Sequence, residues 1–271
     1  MLKRKLVKDQ MGYLINVPEH PLRIISLVPS QTELICDLGL QDRLYGVTKF
    51  CIHPEDVVEK KTKIGGTKSF HIEAIRVLNP DLIIANKEEN DQDLILKLKQ
   101  HFPVWISDVR NLDQCRGMIG EVGELVEKKE EAAFVVGKID EGFRGLPQPK
   151  RRIRTAYLIW RKPYMSVNRD TFIHDIMGRC GMENVFADRE SRYPEITEED
   201  LKAADPELIL LSSEPYPFAE KHFDEIERFL PQTSVVLADG EMFSWYGSRM
   251  MFAPVYLEKL IREVVIPVSG Q

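Results

Sequence analysis

The sequence is poor in cysteine. Its four cysteines, Cys36, Cys51, Cys115 and Cys180, lie far apart and form no CxxC pair. That excludes a disulfide scaffold and a cysteine zinc cage. No run of about 18 apolar residues occurs, so nothing reads as a membrane span. Positive charge is not in excess: 37 Lys and Arg stand against 43 Asp and Glu, a net of −6. General nucleic-acid binding is therefore not expected.

Motifs that carry chemistry are also missing. The chain has no GxxxxGKS/T loop, no GxGxxG after a strand, no GxSxG elbow and no HExxH pair. Its one glycine doublet, Gly65-Gly66, follows a lysine cluster and reads as a loop turn. The histidines His20, His53, His71, His101, His174 and His222 are scattered. Cys51 and His53 offer two metal ligands where a site needs three or four. Glu88-Glu89 and Glu198-Glu199-Asp200 read as solvated helix starts. No acid, base and nucleophile assemble, so no catalytic residue, no metal site and no intrinsic cofactor are expected.

What is present is a chain of 271 residues, 43% hydrophobic and 30% charged, enough for a large core without staples. Its first residues are basic, but Asp9, Gln10, Gly12 and Asn16 interrupt the apolar segment a secretory leader needs. From these residues no signal peptide is expected, which leaves the cytoplasm open as a compartment.

Short apolar runs recur at Leu22–Val28, Leu82–Ala85, Val104–Ile106, Thr155–Trp160, Leu208–Leu211 and Val235–Leu237. Brief β-branched runs separated by amphipathic stretches are the pattern of buried parallel strands, so the class is α/β. Ser30 with Glu33 three residues on predicts a capping box opening the first helix. From about Asp113 to Glu141 apolar residues keep helical spacing: Met118, Val122, Leu125, then Ala132, Val135 and Ile139. The spacing predicts one helix of about 25–30 residues, or about 40 Å. Leu146-Pro-Gln-Pro-Lys-Arg-Arg reads as its exit linker.

Two segments repeat without a gap. Residues 72–84 align with residues 198–210, matching Glu73 to Glu199 and Pro80 to Pro206. A duplicated helix–Pro–strand unit predicts two lobes. The expected division is residues 1–111 for an N-terminal lobe, 112–147 for the linking helix and 148–271 for a C-terminal lobe. Aromatics fall just after the predicted strands of both halves: Phe50, Trp160 and Tyr164, with Phe70 and Tyr193 before the two repeat helices. Asn86 follows the Ile83–Ala85 strand, and Phe243, Trp245 and Tyr246 cluster with Gly247 and Arg249. Loops after parallel strands face ligands, and aromatic tips with a few polar anchors suit a large flat ligand.

The stretch Arg23-Ile-Ile-Ser-Leu-Val-Pro-Ser-Gln-Thr-Glu-Leu, then Leu38-Gly39 and Gly46-Val47-Thr48, resembles the substrate-binding proteins of ABC transporters for vitamin B12 and iron–siderophore complexes. Asn79-Pro-Asp-Leu-Ile-Ile, Gly178-Arg-Cys-Gly-Met-Glu-Asn-Val-Phe and Asp205-Pro-Glu-Leu-Ile-Leu fit the same family. The resemblance runs from about Lys8 to Val264. It implies two Rossmann-like α/β lobes joined by one rigid backbone helix, with a ligand cleft between them. It also implies a monomer that binds and does not catalyse, in the periplasm. Its ligand is a corrinoid or related cobalt- or iron-containing chelate, with iron–siderophore or haem complexes as alternatives, and its partners are an ABC permease and ATPase. Carried onto this chain, the ligand-binding positions are Ser30, Gln31, Phe50, Phe70, Asn86, Trp160, Tyr193, Trp245, Tyr246 and Arg249. The permease-docking positions are Glu73 and Glu199. The absent leader keeps a cytoplasmic relative with an enzymatic or carrier role as a further alternative.

Overall fold

The computed structural model describes residues 3–270. Two compact units form, and the chain passes between them more than once. The N-terminal unit holds the chain up to Val109, Asp113–Lys138 and Tyr246–Arg249; the C-terminal unit holds Arg110–Leu112, Ile139–Trp245 and the chain from Met250 on.

The N-terminal unit opens with an antiparallel hairpin, β1 (Arg4–Lys8) and β2 (Leu14–Pro18). Asp9 makes its turn by accepting the backbone N–H groups of Met11 and Tyr13 at 3.1 and 2.8 Å. Its main sheet comprises β3 (Ile24–Ser26), β4 (Leu44–Val47), β5 (Thr62–Lys63), β6 (Leu82–Asn86) and β7 (Val104–Ser107). These run parallel in the order β5-β4-β3-β6-β7. β3, β6 and β7 are buried along their whole length, as strands covered on both faces must be. Ile25, Leu27, Ile75, Ile83, Leu98 and Val104 make one side of the core.

The C-terminal unit repeats this plan. Its sheet is built from β8 (Ile153–Leu158), β10 (Met182–Asn184), β12 (Leu208–Ser212) and β13 (Ser234–Ala238), parallel in the order β10-β8-β12-β13. A small antiparallel pair, β9 (Tyr164–Met165) and β11 (Glu195–Ile196), forms a separate two-stranded sheet. Ala156, Leu158, Leu201, Ile209, Leu211 and Ile226 pack the core.

The sequence repeat is a structural one. The helices Ile72–Leu78 and Glu198–Ala204 have equal length, and each ends on a left-handed residue, Asn79 at φ 45° and Asp205 at φ 43°. Short Asn and Asp side chains tolerate that conformation better than most. Pro80 and Pro206 then stop the helix, and β6 and β12 follow. Two arginines extend the match beyond the predicted segments. Arg23 donates to the carbonyls of Leu78 and Asn79, and Arg154 donates to those of Ala204 and Asp205. A guanidinium thus caps each helix C-terminus, where orphan carbonyls and the helix dipole both favour a cation. Asp81 closes one copy by accepting the backbone N–H of Arg23 at 2.9 Å, and Glu207 closes the other by accepting that of Arg154 at 3.1 Å.

Two local expectations are corrected. The long helix is two helices, Leu112–Leu125 and Lys129–Arg144. The first ends in a Schellman turn: Lys128 N–H donates to Gly123 O at 2.6 Å, and Glu127 N–H to Glu124 O, with Glu127 at φ 62°. A Cβ on Gly123 would lie 2.4 Å from the Ala132 Cβ, so glycine is what lets the second helix start so close. Seven residues separate Leu125 from Ala132, two helical turns, so apolar spacing runs through the break unaltered. The first helix of the chain spans Pro29–Asp37 with Val28 at its N-cap and no side-chain cap bond. Pro29 takes the first helical position, where its missing N–H costs nothing. Ser30 is therefore inside the helix, and the capping box with Glu33 does not form.

Candidate ligand-binding site

In open parallel sheets, ligands bind beyond the C-terminal strand ends where strand order reverses. In the N-terminal unit that point is the ends of β3 and β6. In the C-terminal unit it is the ends of β8 and β12.

Around the first point Asn86 and Asn90 are committed to the protein, while Gln31 keeps a buried Oε1 with no hydrogen-bond partner. Asn86 is buried: its amide donates to Ser107 O and Oγ at 3.1 and 3.0 Å, and its oxygen accepts from the N–H groups of Glu88 and Glu89. Every hydrogen-bonding site of that side chain is used. Gln31, also buried, donates to Ser107 Oγ at 2.5 Å. Ser30 is buried on the same helix. Asn90, which motif reasoning missed, ties three loops together. Its Oδ1 accepts Asn86 N–H at 2.8 Å, and its amide donates to Leu27 O and Thr67 O at 3.1 and 2.9 Å.

The aromatics divide. Phe70 turns inward: it bridges to Gly65 across a tight turn and joins the core of its unit. Phe50, after β4, is 51% exposed, with its ring against the Gly66 backbone and the Lys49 ammonium 5.0 Å from its centroid. Cys51 beside it is buried against the hydroxyls of Thr32 and Thr48 at 3.1 and 3.2 Å. Burial pushes its thiol up, the threonine hydroxyls opposing, so a thiolate is disfavoured. Among the described residues no three His, Cys, Asp or Glu side chains converge for a metal, Cys51 and His53 included.

In the C-terminal unit Trp160, just after β8, is 40% exposed and meets Tyr216 edge-on at 5.7 Å. Tyr216 in turn packs on Phe218 and His222, which makes a braced aromatic ladder. Tyr193 is 38% exposed. Trp245 is buried, and its indole N–H donates to Glu214 Oε1 at 2.9 Å. Burial raises the Glu214 carboxyl above its usual range, with negative Glu241 and Asp239 adding to it. Ser244 Oγ supplies that carboxylate with a second hydrogen bond at 2.8 Å.

The segment Tyr246–Arg249 belongs to the N-terminal unit. Tyr246 is buried there, and Gly247, at φ 117°, donates its N–H to Cys115 Sγ at 3.2 Å. Arg249 is one of the carried-over ligand-binding positions. It pairs with the Glu33 carboxylate: Nη2 lies 2.7 Å from Oε1 and Nε 3.0 Å from Oε2. The side chains are 11% and 8% exposed.

Glu73 and Glu199 occupy the first turns of the two repeat helices, both exposed. Glu73 stands 3.5 Å from Arg76 on its own helix. One cavity of about 910 Å³ lies elsewhere in the N-terminal unit, lined by β1 and the helix junction through Lys5, Leu6, Trp105, Glu121 and Glu124. None of the predicted site residues lines it. Among the described residues no helix is long and apolar enough to cross a membrane.

Known proteins agree with this plan. The vitamin B12-binding protein of Yersinia pestis (strain Pestoides F) is 26% identical, the match covering 94% of this chain and 92% of that protein. The solved periplasmic vitamin B12-binding protein BtuF of Vibrio cholerae superposes with a TM-score of 0.73 at 22% identity, covering 90% of this chain and 98% of that one. The periplasmic heme-binding protein RhuT of Roseiflexus sp. RS-1 in its apo form gives 0.76 at 19% identity, covering 91% and 98%. The periplasmic binding protein family model matches residues 24–232. With its two parallel α/β units and the internal repeat, the chain belongs to the periplasmic binding protein family.

Proposed function

We propose that this protein is the solute-binding component of an ABC transporter and captures a corrinoid-type metal chelate, working in the periplasm. The observation that carries the reading is the exposure of Phe50, Trp160 and Tyr193. Phe50 and Trp160 follow β4 and β8 directly, and both are braced from behind, by Gly66 and by Tyr216. Large rings held rigid with open faces are suited to stack on a macrocycle at low entropic cost. The B12-binding relative at 26% identity supports a corrinoid as the ligand. A haem-type chelate is the second reading, supported by the likeness to a heme-binding structure.

Glu73 and Glu199 are the docking residues in this reading. They sit at matched places on equivalent helices, so two basic sites on a permease dimer would meet the same geometry twice. The ligand-side test is direct. Phe50→Ala and Trp160→Ala should each weaken cyanocobalamin binding by about 1–3 kcal/mol, as removal of a contact anchor does. Unchanged affinity in both would remove the aromatic faces from the ligand's path.

A further inference from the structure

Lys49 differs from Lys61, Lys63 and Lys87, whose ammonium groups are held by the protein. Lys61 donates to Gln41 O, Lys63 to Cys51 O, and Lys87 pairs with Asp108 at 2.9 Å. Lys49 has no ion pair and no side-chain hydrogen bond among the described residues, and its ammonium lies over the face of Phe50. Its backbone is fixed, with Lys49 N–H donating to Gly65 O at 2.8 Å. Gly66 forms the floor beneath both side chains. A Cβ there would stand 3.3 Å from Phe50 Cε2 and 3.7 Å from Lys49 Cε. The pair lies where β4 ends, on the rim at which a parallel sheet receives its ligand.

An ammonium against an exposed ring gains little while solvated. The arrangement instead sets a cation beside a stacking platform. A flat ligand lying on Phe50 would bring its edge substituents to Lys49. An amide oxygen there accepts one hydrogen bond from the ammonium, whereas a carboxylate adds ion-pair attraction between opposite charges, an attraction that salt screens.

Resting on the chelate-binding reading above, we infer that Lys49 is a specificity residue and that the ligand is a macrocyclic chelate bearing peripheral carboxylates rather than a fully amidated one. The chemistry is shared by haem-type propionates and by corrins with unamidated acid side chains.

The test uses the full chain and three probes: haemin, a corrin carboxylate obtained by hydrolysing side-chain amides, and cyanocobalamin. Each is titrated at low and high salt, followed by ligand absorbance, on wild type, Lys49→Gln and Lys49→Arg. At least one carboxylate probe should bind more tightly than cyanocobalamin, with affinity falling as salt rises. Lys49→Gln should weaken the carboxylate probes by about tenfold, flatten their salt dependence and leave cyanocobalamin within about twofold, with Lys49→Arg restoring affinity. Preference for cyanocobalamin, or an equal loss on every probe in Lys49→Gln, overturns the inference and leaves the chelate reading standing. No binding of any probe to folded wild type overturns both.

Discussion

Arg249 Nη2 lies 2.7 Å from Glu33 Oε1, in a buried two-bond pair between residues 216 positions apart in the chain. It fastens the short Tyr246–Arg249 segment to the Pro29–Asp37 helix of the N-terminal unit. The carboxylate that Arg249 grips here is a protein one, Glu33.

A buried ion pair adds little against a well-packed apolar pair, yet breaking it is costly. Arg249→Ala leaves the Glu33 carboxylate buried without its guanidinium. We expect a loss of about 3–5 kcal/mol in urea unfolding, whereas Glu33→Leu with Arg249→Met should fall within about 1 kcal/mol of wild type. If Arg249→Ala unfolds like wild type, the pair has no structural weight.

The helix junction gives opposite signs at two positions. Glu127 holds a left-handed conformation that glycine adopts without strain. Its carboxylate also meets His20, but both groups are well exposed, so that contact is worth little. Glu127→Gly should therefore be neutral or stabilising by up to about 1 kcal/mol. Gly123→Ala places a methyl against Ala132 and should cost more than about 1 kcal/mol. Thermal melts of the two variants report the order; the reverse order would contradict the Schellman geometry.

Glu214 makes a pH-dependent prediction. Burial raises its carboxyl, so the native state holds that proton more tightly than the unfolded chain. Its contribution is unfavourable once pH rises above the folded value, and the penalty disappears as pH falls below the unfolded value. Glu214→Gln keeps an acceptor for Ser244 and Trp245 without the charge. Its stability relative to wild type should increase from about pH 4 to pH 7, read by denaturation at stepped pH. A difference that does not change with pH would show that burial exerts no net effect there.

Charge reversal at Glu73 or Glu199 separates docking from capture. Glu73→Arg and Glu199→Arg should leave chelate affinity within about twofold, because surface charges this exposed contribute little to the fold. Either should reduce stimulation of a reconstituted permease–ATPase by about tenfold or more, through like-charge repulsion at the interface. Full stimulation by the double reversal would remove these residues from docking.

Much of the architecture was legible in local patterns. Short apolar runs located most of the strands of both main sheets, and the Asn79-Pro80 and Asp205-Pro206 junctions exposed the duplication. The arginine caps were not legible, because Arg23 and Arg154 act on helices that follow them by about 50 residues and carry no motif. The helix break was hidden because a left-handed turn fits within two full turns of apolar spacing, and its C′ residue is Glu127 rather than glycine. At the site, position after a strand brought out Phe50 and Trp160, both exposed. The same logic could not tell that the Gly65 turn folds Phe70 into the core, or that Asn86 is satisfied by Ser107 and its own following backbone. Tertiary partners decide those cases, and single-residue signals do not contain them.

The most direct test is an equilibrium titration of the purified chain with cyanocobalamin, haemin and a ferric siderophore, followed by tryptophan quenching and ligand absorbance. Trp160 and Tyr193 stand exposed in one unit and Phe50 in the other. The account predicts saturable one-to-one binding of a macrocyclic chelate with a Kd below about 100 μM, a free energy beyond about −5 kcal/mol. No saturable binding of cyanocobalamin or haemin in that range, by a chain whose circular dichroism shows it folded, would contradict it, as would binding of the ferric siderophore alone.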